Sequence, residues 1–280
     1  FLVAGLGFKL AAVPFHMWAP DIYEGAPLPV TAYIAVGSKV AAFALVLRLF
    51  AEGLLPAAEE WRTIIAALAA VSMTLGNLVA LAQRNIKRML AYSSIGQVGY
   101  LLMGIAALSP LASNGLILHL IGYSATNLAA FTALIAFYNR TRQDEIPSLA
   151  GLGARSPVLA ASLTVALFSL AGLPFFAGFT TKFYLFTAAA GQGFLWLSGL
   201  AITASLISLY YYLMVIKQIY IEAPASPGRL SNSALLTGVL AVLVLAIILI
   251  GIYPGPLVEV IQTATQAVLP PGPPQALAGP

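Results

Sequence analysis

The chain has 280 residues, 60% of them hydrophobic and 8% charged, with a formal net charge of +4 and a mean hydropathy of +0.94. Soluble globular domains carry roughly 45–50% apolar residues, so this composition excludes that class and indicates an all-α polytopic membrane protein. Without cysteine there is no disulfide framework, thiolate metal site or iron–sulfur ligation, and any redox chemistry belongs to partners.

The apolar runs are continuous rather than alternating, as expected of membrane helices and not of barrel strands. Phe1 lies inside such a run, so the chain reads as the C-terminal part of a longer one. Residues 1–13 read as the end of a spanning helix that carries Lys9 and is stopped by Pro14. The link 14–29 holds His16, Asp21, Glu24 and four prolines, and reads as a connection at the membrane surface, with Trp18 and Tyr23 suited to the interface. A helix over 30–50 follows, with Lys39 near its middle.

Helices are predicted over 61–81 and 90–108, joined by a short basic connection with Arg84, Lys87 and Arg88. A helix over 112–138 leads to a second basic loop with Arg140, Arg142 and Arg155. Two helices separate the clusters, so both lie on one face, the cytoplasmic one by the positive-inside rule. Residues 157–190 stay apolar for longer than one straight span allows. LAGLPFFAGF (170–179) places Pro174 between glycines, including Gly178, and implies two half-helices with unwound backbone between them. Spans over 194–216 and 234–253 bring the count to eight. Domain 1–255 is thus transmembrane, and 256–280 a Pro/Gly-rich tail at the opposite face.

An ammonium at bilayer depth is costly and generally functional. Lys39 and Lys182 stand inside apolar sequence, and Lys9 does so with Pro14 and His16 near enough to offer a surface exit. His119, Tyr123 and Asn127 recur every fourth residue and share one helix face. That stripe is either a hydrated proton relay or a polar seam between helices. Asp21 and Glu24 are gating candidates or solvated turn acids, Asn77 is an inter-helix hydrogen-bonder, and a single His without acidic or thiol neighbours makes no metal site.

Lys9 with PFHMWAPDIYEGAPLPVTA (14–32), Lys39 thirty residues after Lys9, QRNIKRMLAYSSIGQVGYLLMG (83–104) and LAGLPFFAGFTTKF (170–183) together resemble the antiporter-like membrane subunits of respiratory complex I. The match is nearer to the N-type (mitochondrial type 2) subunit than to the L or M types. The resemblance implies the last eight of fourteen helices and a proton relay through Lys9, Lys39 and Lys182, with Lys9 pairing to a glutamate upstream of residue 1. Where larger members have two histidines and a lysine, this chain has His119, Tyr123 and Asn127, so water and neutral groups carry more of the path. It further implies a hetero-oligomer of membrane-arm subunits in the bacterial inner membrane, with NADH:quinone oxidoreductase activity. No cofactor is expected in this chain; FMN, iron–sulfur clusters and quinone would sit on partner subunits. The alternatives are a subunit of a multi-subunit cation/proton antiporter or membrane-bound hydrogenase, and a passive structural subunit.

Overall fold

The computed structural model describes residues 1–224 and 228–268, and among these the chain is almost wholly helical, with no strand. Six helices among the described residues are long and apolar enough to cross a membrane: Leu28–Gly53, Leu55–Ala80, Ile86–Ala107, Pro110–Thr141, Leu195–Tyr220 and Ala234–Ile252. The other two expected segments take different forms. The first is only the nine-residue α1 (Leu2–Leu10), and the long apolar run is split into α9 (Pro157–Ala171) and α10 (Ala177–Gly191).

Local rules explain most boundaries, and correct some. Pro14 does not end α1: Ala11 takes up a left-handed conformation, and the N–H groups of Ala11 and Ala12 bond back to the Phe8 and Gly7 carbonyls, closing the helix earlier. The link 14–29 contains a short helix, α2 (Trp18–Gly25). The helix carrying Lys39 is α3 (Leu28–Tyr33) and α4 (Lys39–Arg48) joined by a π turn at Ile34–Ser38. In α5 (Ala58–Ala80), Glu59 and Glu60 occupy the first turn, where the helix dipole favours anions.

The chain then continues through α6 (Ile86–Ala107), α7 (Pro110–Thr141) and the single turn α8 (Leu152–Arg155) to the broken pair α9 and α10. α6 and α7 are capped by the side chains of Asn85 and Ser109. The final helices are α11 (Leu195–Tyr220), α12 (Ala234–Ile252) and α13 (Gly255–Val268). α13 occupies the start of the stretch read as a tail; residues 269–280 of that stretch lie outside the described residues.

α6 is the central strut: all its residues except Arg88 and Tyr92 are buried. Its crossing with α5 is possible because glycines face each other, a Cβ on Gly76 lying 2.6 Å from the Gly96 nitrogen. The apolar side chains form two main cores that follow one another along the helices. One takes Ala129–Phe137 of α7 and Tyr211–Ile219 of α11. The other takes Ala112–Leu120 of α7 and Leu197–Ala204 of α11. α6 likewise gives Ile86–Ala91 to the first and Val98–Ala107 to the second. The polar residues of these helices lie between the two cores, where the candidate site is found.

The basic loops meet at one end of the bundle. Ile86 N–H donates to the Asp144 carbonyl at 2.9 Å, Ile146 N–H to Arg84 at 2.7 Å and Leu230 N–H to Arg155 at 2.8 Å. Lys87 and Arg88 stand at the start of α6, where the dipole disfavours cations, and carboxylates offset this. Lys87 pairs with Asp144 at 3.0 Å, and Arg88 with Asp21 and Glu24 at 2.7 and 2.8 Å.

Candidate functional site

Lys39 is 6% exposed and Lys182 2% exposed. Neither has a carboxylate within ion-pair distance among the described residues, whose ion pairs lie at Arg48–Glu52, Lys87–Asp144, Arg88–Asp21, Arg88–Glu24 and Lys217–Glu222. A buried ammonium without a counter-charge must be held by dipoles and hydrogen bonds, each of the order of 1.5–3 kcal/mol when one partner is charged.

For Lys39 that partner is Ser94 of α6, through its carbonyl at 3.1 Å and its hydroxyl. The Ser94 hydroxyl is also a hub for Tyr123 at 2.8 Å and Tyr23 at 3.4 Å. For Lys182 the partners come from the break between the half-helices. Nζ donates to the Leu170 carbonyl at 2.8 Å and Ala171 at 3.4 Å, and to Ser205 Oγ at 3.1 Å. These carbonyls end α9, where the helix dipole is negative, so the backbone supplies the counter-charge that no side chain provides.

Several features hold the break open. Gly172 closes α9 at φ 86°, a conformation glycine adopts freely. Gly178 lets α10 start against α9: a Cβ there would run into the Ser169 carbonyl. The Gly178 N–H donates to Ser169 Oγ at 3.1 Å, and that hydroxyl meets Thr126 at 2.9 Å. The discontinuity expected around Pro174 is therefore present, between Gly172 and Phe176.

His119 joins the two lysine sites. It is 2% exposed, with Nδ1 2.8 Å from Thr181 Oγ1 and Nε2 3.2 Å from Gln97 Oε1. Gln97 in turn donates to the Leu170 carbonyl at 3.3 Å, the acceptor that Lys182 uses. The rings of His119 and Tyr123 are stacked, 6.4 Å between centroids. Polar side chains thus run from Lys39 through Ser94 and Tyr123, across the stacked rings to His119 and Gln97, and on to Lys182. Among the described residues Asn127, third in the helical stripe, bonds only its own helix, donating to the Tyr123 carbonyl at 2.9 Å.

The remaining candidates sit elsewhere. Lys9 is exposed in the last turn of α1, the surface-side alternative of its two readings. Asp21 and Glu24 are clamped by Arg88 on the outer side of α2, while Tyr23 of the same helix reaches inward to Ser94. His16, between α1 and α2, is buried with Nδ1 unpartnered among the described residues, and burial pushes its pKa below 6.5 against a smaller opposing pull from Pro14.

Sequence reasoning missed Ser94, Gln97, Thr181, Tyr100 and Ser205 as members of the site. The signal was there: a serine or glutamine inside an apolar span needs a partner, and YSSIGQ places three within six residues. Which helices those partners come from is a property of the packing.

Comparison with known proteins bears on the family and the fold. Residues 1–208 match the family described as NADH:quinone oxidoreductase/Mrp antiporter, TM. NADH-quinone oxidoreductase subunit N of Desulforamulus reducens is 46% identical over 268 residues, 96% of this chain and 56% of that protein. NAD(P)H-quinone oxidoreductase subunit 2 of Nostoc punctiforme is 46% identical over 80% of this chain and 42% of its own length. The chain thus spans about half the length of the curated relatives it matches. Among solved structures, respiratory complex I from Thermus thermophilus with bound aureothin has a chain with TM-score 0.79 and 33% identity, over 92% of this chain and 57% of that one. The Mrp complex from Dietzia sp. shares the fold, with TM-score 0.89 at 22% identity, over 95% of this chain and 58% of that one. The chain belongs to the NADH:quinone oxidoreductase/Mrp antiporter transmembrane family.

Proposed function

We propose that this chain moves protons in the membrane arm of an NADH:quinone oxidoreductase, driven by redox chemistry on partner subunits that hold FMN, iron–sulfur clusters and quinone. One observation carries the reading: Lys39 and Lys182 are both buried, without carboxylate partners among the described residues, and lie on one line of polar side chains through Ser94, Tyr123 and His119, with the Gln97 carboxamide orienting His119. A lysine held only by neutral groups changes charge at modest cost when a neighbouring charge arrives or leaves. A proton accepted at Lys39 would pass along the layer between the two cores, with water spanning the gaps from Tyr123 to His119 and from His119 to Lys182, and be taken up at Lys182. Lys182 would release it on the exit side.

In this reading Lys9 takes its partner from a carboxylate outside the described residues, in keeping with its exposure. Asp21 and Glu24 act as a latch: held by Arg88, they keep α2 and Tyr23 seated over the Lys39 site. The basic loops at 84–88 and 140–155 face the cytoplasm of a bacterial cell, the chain being embedded in its inner membrane beside other membrane-arm subunits. The 46% identity to subunit N of an NADH-quinone oxidoreductase favours this over an antiporter, for which the shared family and fold speak.

The test is to replace Lys39 or Lys182 by Met in the intact complex and measure proton pumping per NADH oxidised. Pumping should fall sharply for each, and parental pumping in either would refute the relay.

A further inference from the structure

A second polar branch leaves Lys182 in the other direction. Ser205 Oγ, which accepts from the lysine, bonds the Tyr100 hydroxyl at 3.2 Å, and the Tyr100 ring lies 4.7 Å from Nζ by its centroid. Asn77 Nδ2 donates to the same hydroxyl at 3.5 Å while Asn77 Oδ1 accepts from Tyr211 at 2.9 Å. Three helices, α5, α6 and α11, thus converge to fix one aromatic ring, which is 1% exposed.

The chemistry of Asn77 defines what this branch can do. A carboxamide donates from nitrogen and accepts at oxygen, and neither atom titrates in the working range. It therefore orients the hydroxyls of Tyr100 and Tyr211 without passing a proton between them. The branch holds the ring still and does not conduct.

What the ring is held against is the ammonium. The groups facing Lys182 are the Leu170 and Ala171 carbonyls of α9, Ser205 of α11, Tyr100 of α6 and, through Thr181, His119 of α7. None is an anion, and α12, which also packs on α10, has no ionisable side chain. Beside the dipoles of those carbonyls, the negative face of an aromatic ring is a further source of attraction for a cation in such a site.

We infer that Tyr100, anchored by Asn77 and Ser205, is a positioning residue for Lys182, stabilising its ammonium through the face of the ring. The inference rests on the relay proposed above. It requires that the ring, more than the hydroxyl, matter to proton movement.

The experiment uses the intact complex in vesicles, with pumping per NADH oxidised as the readout. Tyr100→Phe, which keeps the ring but loses the hydroxyl that Asn77 and Ser205 anchor, should pump less than the parent yet well above Tyr100→Leu, which should pump about tenfold less than the parent, within the range of a desolvated cation–π contact. Should Tyr100→Leu fail to assemble, Tyr100→Met takes its place. The decisive series puts phenylalanines with increasing ring fluorination at position 100. Fluorine drains the negative face while barely altering shape, so pumping should fall stepwise with each addition, which a packing role would not produce. A flat series, or Leu equal to Phe, overturns the inference. Parental pumping in Lys182→Met would remove the underlying relay instead, so the two failures are told apart.

Discussion

Gly178→Ala tests the site without touching any titratable group. The Cβ added at position 178 would strike the Ser169 carbonyl, a backbone atom that no rotamer change can move aside. Relief requires α10 to back away from α9 by about 1 Å or more, since close-packed interiors leave no slack for an extra methyl group. Lys182 rides on α10 while its acceptors, Leu170 and Ala171, end α9, so the 2.8 Å and 3.4 Å bonds would both stretch past the roughly 3.5 Å limit of useful hydrogen bonding. Overpacking costs about 1–3 kcal/mol of stability, while misplacing a working group by ~1 Å can cost on the order of a hundredfold in rate. The expected result is an assembled complex that oxidises NADH but pumps at least tenfold less, on the scale of such misplacements. The measurement is dye-reported acidification of vesicles, normalised to NADH oxidation and to the amount of assembled complex. Gly191→Ala on the same helix is the control, since nothing lies within 4 Å of its added Cβ, and it should match the parent. If Gly178→Ala also matches the parent, the argument that the half-helix junction seats Lys182 is wrong.

Two further outcomes follow from the outer end of the bundle. Arg88→Ala removes the partner shared by Asp21 and Glu24, and partly exposed pairs of this kind are worth up to about 1 kcal/mol each. Hydrogen exchange of residues 18–25 should therefore quicken by up to about thirtyfold, and unchanged exchange would remove the latch. His16 has a depressed folded-state pKa, so below 6.5 the unfolded chain binds a proton that the folded one does not. Its contribution turns against the folded state as pH falls through 6.5, and His16→Leu should flatten the acid-side loss of thermal stability relative to the parent. An identical acid slope in the two proteins would contradict the burial argument.

How much of this was legible beforehand varied with the kind of physics involved. Helix content followed from hydropathy. The break around Pro174 followed from a length that one span cannot use together with proline and glycine at its centre, and Lys39 and Lys182 followed from the cost of charge in apolar surroundings. The stop at Ala11 was not legible, because a left-handed alanine is fixed by the capping bonds around it and carries no residue signature. α2 was hidden by its prolines, although Pro20 sits in the first turn, where proline is tolerated. The exposure of Lys9 follows the surface exit that Pro14 and His16 offered, and the sequence left it open because apolar sequence describes the solvent a helix meets and not the side on which a residue lies. Tyr100, Ser205 and Gln97 are ordinary polar residues until three or four helices bring them to one lysine.

The π turn at Ile34–Ser38 gives that last point an azimuthal form. The buried positions Leu28, Ala32, Ala35, Lys39, Phe43, Val46 and Phe50 keep a steady helical rhythm along the sequence. Yet Leu28, Ala32 and Ala35 belong to one core and Phe43, Val46 and Phe50 to the other. A wide turn winds less per residue than an α turn, so an unbroken stripe in the sequence swivels about the helix axis in space. Upstream it looks toward α7 and downstream toward α1. Lys39 is the first residue after the swivel, and its bearing on Ser94 is set by the pitch of the backbone just before it.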